Sequence, residues 1–90
     1  MNQIHPEIQR IKERRQKLGA TQGELALCAQ LSKSALAQLE VGMRSNPQYD
    51  TVQKLHAALD ALEKEKLRAE RQRLNAALAE LDATEKESAA

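Results

Sequence analysis

Ile8, Ile11, Arg15 and Leu18 recur at helical spacing near the start of the chain. That spacing predicts a first helix over about residues 6 to 17, with Pro6 suited to its first turn and Gly19 near its end. Leu25, Ala26 and Ala29 give a second helix, roughly residues 22 to 30, one inward face. Leu36 and Leu39 do the same for a third, roughly residues 33 to 41. Thr21 with Glu24 three residues on has the form of a capping box, and Ser32 can cap the third helix. About three residues, Gln30 to Ser32, join the two. This is helix-turn-helix spacing, and the second helix of the pair is the candidate reader of a DNA major groove.

Gly42 ends the third helix, in a left-handed conformation. Met43 to Tyr49, with Arg44, Asn46 and Pro47, reads as loop. Asp50 or Thr51 caps the next helix, whose apolar stripe is Val52, Leu55, Leu59 and Leu62. From Thr51 to Lys86 there is neither Gly nor Pro. Within this stretch a second stripe, Leu67, Leu74, Leu78 and Leu81, is turned by roughly a quarter of the helix circumference from the first, at about 100° per residue. Two readings fit: a break between Asp60 and Lys66, or one continuous helix whose stripes serve different partners. The first stripe would close a domain core, and the second would form a dimer interface. The expected division is a helix-turn-helix domain over residues 6–62 and a dimerisation helix over 63–86, with the last residues disordered. The fold class is all-α.

Composition narrows this picture. The chain has 90 residues, a net charge of +1, no Phe or Trp, and Tyr49 as its one aromatic residue. The core is therefore aliphatic, and the chain as a whole is not basic. Residues 1–50 carry seven Lys/Arg and five Asp/Glu, against seven and eight in residues 51–90, so the first part is mildly positive. Arg10, Lys12, Arg14 and Lys17 lie mostly off the first helix's apolar face. They form a solvated basic face, or some of them meet phosphate. Cys28 is the only cysteine, which suits a reducing compartment and a small, partly buried helix position. No apolar run approaches membrane length, and the expectation is a cytoplasmic protein without membrane contact.

Residues 11 to 62 resemble the lambda/434 repressor and Cro family of helix-turn-helix regulators. The matching pieces are RR at 14–15, TQGELA at 21–26, LSKSALAQLEVG at 31–42 and P-x-x-D-T-V-x-K-L at 47–55. The resemblance implies that Lys33, Ser34 and Gln38 face bases, with Ala37 beside them against a thymine methyl. It implies that Gln22 touches a phosphate and braces the reading helix, and that Arg44 and Asn46 meet the DNA backbone. Arg15 and Glu40 match a partly buried ion pair between helices one and three. The chain departs from the family at three positions. Gln30 stands where Gly is usual in the turn, Val41 replaces a commonly polar residue, and Asp60 stands where Gly often follows the fourth helix. The last departure favours a helix that continues.

The chemistry of these side chains fits a reader of DNA. Lys33 can donate to guanine O6 or N7, and Gln38 can pair bidentately with adenine. Ser34 can do either or, like Ser32, Arg10 and Arg14, meet the backbone. One such helix covers about four or five base pairs, so useful specificity calls for a two-fold dimer on a palindrome. A small repressor of the phage or plasmid kind, needing no cofactor, is the expectation. His5 and His56 have no third ligand at metal spacing, and there is no glycine-rich phosphate loop, so an enzyme is not expected. The alternative is a protein-interaction module, or an antitoxin, whose helical tail binds a partner protein.

Overall fold

The computed structural model describes residues 4–43 and 46–89, with side chains through residue 84. Among the described residues four helices follow one another: α1 (Pro6–Leu18), α2 (Gln22–Cys28), α3 (Lys33–Glu40) and α4 (Tyr49–Ala89). Each short helix starts on a side chain that accepts from an otherwise unpaired backbone N–H. His5 Nδ1 accepts from Glu7, Thr21 Oγ1 from Glu24 at 3.0 Å, and Ser32 Oγ from Ala35 at 3.0 Å. The Thr21–Glu24 capping box is complete, because the Thr21 N–H donates back to Glu24.

The short helices also stop in one way. In each, a residue of positive φ follows the last turn, and the next two N–H groups reach back to carbonyls that would otherwise be unpaired. Gly19 and Ala20 donate to Gln16 and Arg15, Gln30 and Leu31 to Leu27 and Ala26, and Gly42 and Met43 to Leu39 and Gln38. Gly19 and Gly42 take φ of 77° and 80° at no steric cost. Gln30 takes 60° with a side chain attached. Gln at the position where the resemblance implies Gly therefore leaves the turn's geometry in place and adds strain.

The helices surround one aliphatic core. Ile8 and Ile11 from α1, Leu25, Ala26 and Ala29 from α2, Leu36 and Leu39 from α3, and Val52, Leu55, Ala58 and Leu59 from α4 form a single buried cluster. Ile4, Leu18, Leu31 and Leu62 close its edge. Cys28 is exposed rather than partly buried, because positions 25, 26 and 29 take the inner side of α2. The fourth helix begins at Tyr49, one or two residues before the expected cap. The Gln48 carbonyl accepts the first helical bond, from Val52 at 3.1 Å, and Asp50 falls in the first turn, where a negative charge suits the helix dipole.

With no Gly or Pro to stop it, α4 continues unbroken for 41 residues, past the expected end. At 1.5 Å per residue this is a rod of about 60 Å, and the molecule measures 69 × 23 × 18 Å. Its first part completes the core, and residues 63–84 are exposed throughout. Leu67, Leu74, Leu78 and Leu81 remain 57–63 % exposed.

Candidate nucleic-acid interface

Helix α3 is held from behind by three residues. Leu36 and Leu39 enter the core, and Glu40 is a fully buried charged residue. The Glu40 carboxylate satisfies itself inside the fold. Arg15 donates Nε to Oε2 at 2.9 Å and a guanidinium N–H to Oε1 at 2.8 Å. Gln22 Nε2 donates to Oε1 at 3.1 Å. Arg15 also donates to the Ala20 carbonyl at 2.8 Å. One carboxylate thus joins α1, the start of α2 and the end of α3, in the bidentate geometry that suits Arg. Lys12 Nζ lies 3.5 Å from the Glu40 carbonyl, where a cation suits the C-terminal end of α3. Sequence reasoning missed this Lys12 contact.

The opposite edge of α3 is open. Ser32, Lys33 and Ser34 are exposed, and Ala37 and Gln38 are half-buried. Ser32 Oγ accepts the Ala35 N–H, which leaves its own hydroxyl proton to donate. Lys33 lies against the start of α2: its Cδ is 3.9 Å from where a Cβ on Gly23 would stand. Gln22, half-buried, keeps a second amide N–H beyond the one bound to Glu40. The first turns of α2 and α3 therefore meet around Gln22 and Lys33, with Ser32 and Ser34 nearby in sequence. Asn46 is exposed in the loop before α4. Arg44 lies outside the described residues.

The cations of α1 are placed differently. Arg10 is exposed and paired with Glu7 at 3.2 Å. Arg14 is engaged by α4, bound to Asp60 and, at 3.2 Å, to Glu63. The Asp60 hydrogen bond raises the Arg14 pKa. In turn, the hydrogen bond from Arg14 holds the Asp60 carboxyl below the usual carboxylate range. Further links join the same two helices. His56 Nε2 lies 3.4 Å from Glu7 Oε2, and Lys66 Nζ donates to the Leu18 carbonyl at 3.2 Å. Together these fasten α4 to α1 alongside the core, at His56, and beyond its end, at Glu63 and Lys66. The signal for this latch was in the sequence, as acids three residues apart at Asp60 and Glu63 on one helix face.

Among the described residues, no three His, Cys, Asp or Glu side chains gather to hold a metal ion. Among the same residues, no helix is long and apolar enough to cross a membrane.

The match to known families covers most of this architecture. A family described as helix-turn-helix matches residues 11–67, from the middle of α1 to just past Lys66, whose ammonium reaches the Leu18 carbonyl. Comparison with curated proteins and with solved structures returned no match. The matched span holds the capped helix pair, the buried Arg15–Glu40 link and the open edge of α3, and it covers well over half the chain. The chain belongs to the helix-turn-helix family of the lambda repressor and Cro type, and carries a DNA-binding regulatory domain.

Proposed function

We propose that this chain is a sequence-specific transcriptional repressor that binds a palindromic operator as a homodimer. The observation that carries the reading is the two-sided character of α3. Leu36, Leu39 and the Glu40 carboxylate fix one edge in the fold, and Lys33 and Ser34 stand free on the other. A reading helix must be held rigidly and still present unpaired donors and acceptors. In this reading Lys33, Ser34, Ala37 and Gln38 meet base edges. Gln22, Ser32, Arg44 and Asn46 meet phosphates, with Arg10 a more distant contributor. Arg14 is left out of the set, because Asp60 and Glu63 already hold its guanidinium. Residues 6–62 act as the head and 63–86 as the pairing arm, through Leu67, Leu74, Leu78 and Leu81.

A second reading, in which the arm binds a different protein, draws on the same exposed leucines. The size of the purified chain in solution separates the two: a dimer supports the first, a monomer the second. The test of base reading is a titration of Lys33→Ala and Gln38→Ala against operator and scrambled duplexes at several salt concentrations. Gln38→Ala should relax preference at one operator position by about 1–3 kcal/mol. If both variants left discrimination unchanged, α3 would not be the reader. Arg44→Ala should weaken binding to both duplexes alike and flatten the salt dependence.

A further inference from the structure

The exposed arm has a polarity of charge centred on its leucine stripe. Leu67, Leu74 and Leu81 are spaced by seven, with Leu74 in the middle. Residues 63–73, on its head side, carry five Lys/Arg and three Asp/Glu, and residues 75–85, on its far side, carry no Lys/Arg and three Asp/Glu. These equal windows have net charges of +2 and −3, taken as 5 − 3 and 0 − 3. The stripe ends at the head, where Asp60 and Glu63 take its face and are bound by Arg14.

We infer that the arm pairs with a second copy of itself in antiparallel orientation, crossing at Leu74. The inference rests on the homodimer reading above and sets its geometry. In an antiparallel pair centred there, each Leu67 meets the partner's Leu81, and the two Leu74 side chains meet at the two-fold axis. Every leucine spaced by seven then has a leucine opposite. The positive window of one arm lies along the negative window of the other, with Asp82 on the flank shared by Lys64 and Arg68. A parallel, in-register pair aligns the leucines equally well, but it sets the positive window on the positive and the negative on the negative. Charges that flank an apolar seam decide orientation in this way.

The orientation has a consequence for DNA. The core-facing part of α4, Val52 to Leu62, is centred about 17 residues from Leu74, or about 25 Å at 1.5 Å per residue. Two heads at opposite ends of an antiparallel pair are therefore about 50 Å apart along the arms. One turn of DNA separates adjacent in-phase half-sites by about 34 Å. The heads span more than one such turn and less than two, which is about 68 Å.

The test uses cysteine pairing in the full chain, with Cys28→Ser in every variant so that only introduced thiols react. Leu74→Cys should give a covalent dimer on mild oxidation. Leu67→Cys alone should give none, because the two thiols lie about 21 Å apart, far beyond disulfide reach. An equal mixture of Leu67→Cys and Leu81→Cys should give the mixed dimer. Efficient self-linking of Leu67→Cys would overturn the antiparallel orientation and leave the homodimer intact. A chain that stays monomeric in sedimentation and links at no position would overturn the homodimer with it. As a further check, Leu74→Glu with Leu78→Glu should convert the dimer to a folded monomer, and a double variant that remains dimeric would exclude this face as the interface.

Discussion

Replacing Glu40 with alanine removes the group on which α1, α2 and α3 converge. The Glu40 residue is 0 % exposed, and the Arg15 side chain is 12 % exposed. The change deletes two charge-assisted bonds from Arg15 and one from Gln22. Arg15 keeps its bond to the Ala20 carbonyl and some access to water, so part of its charge remains solvated. Removing one partner of a buried pair costs about 3–5 kcal/mol, and this residual solvation places Glu40→Ala at the lower end, about 3 kcal/mol. For a domain of this size, 1 kcal/mol moves Tm by about 4–8 °C, so the loss should be about 12 °C or more. Arg15→Ala should cost more than Glu40→Ala. It strands a carboxylate with no water and only Gln22 to donate to it, whereas the reverse strands a cation at the protein edge. Thermal and urea unfolding followed by circular dichroism give both values, and the Arg15/Glu40 double variant completes the cycle. If Glu40→Ala melted within a degree or two of wild type, the convergence on this carboxylate would contribute nothing to holding α3.

Three further outcomes follow from the geometry. Gln30→Gly relieves a side chain at φ 60°, worth about 1 kcal/mol less the added freedom of the unfolded chain; Tm should rise by a few degrees, and a fall would show that Gln30 makes a compensating contact. Asp60 is held below its ordinary pKa by Arg14, so its contribution is present above the usual carboxylate range and lost as pH falls through the lowered value; the gap in melting temperature between wild type and Asp60→Asn should hold steady from neutral pH downward and close in strong acid. Lys66→Ala removes the bond to the Leu18 carbonyl and should raise amide exchange at the end of α1 while leaving α3 unchanged.

Much of this fold can be read from the chain because its punctuation is chemical. Thr21 with Glu24, Ser32, Gly19 and Gly42 each end or begin a helix through a specific hydrogen bond, and the leucine and alanine spacing states which side turns inward. The start of α4 was less legible. The bond from Val52 to the Gln48 carbonyl is a backbone event, and Asp50 and Thr51 look like caps from sequence alone. Whether α4 breaks was also open, since two stripes a quarter-turn apart suit either a kink or one straight helix. The cations of α1 were the hardest to place. Arg10, Lys12 and Arg14 lie within five residues and look alike in sequence, but one pairs with Glu7, one caps the α3 carbonyl end and one latches the arm. The Arg10 pair is local to α1, at i and i+3, whereas the fates of Lys12 and Arg14 depend on a carbonyl and acids brought close only by the packing of α1 against α3 and α4.

Selection from a pool of random duplexes would show whether this chain reads DNA sequence as a symmetric pair. The intact chain, incubated at moderate salt and carried through several rounds of recovery, should enrich an inverted repeat. Its half-sites should be about four or five base pairs each, related by a two-fold axis. Lys33→Ala should fail to enrich the same half-site. Recovery of a pool with no sequence preference, at salt where binding persists, would contradict the account.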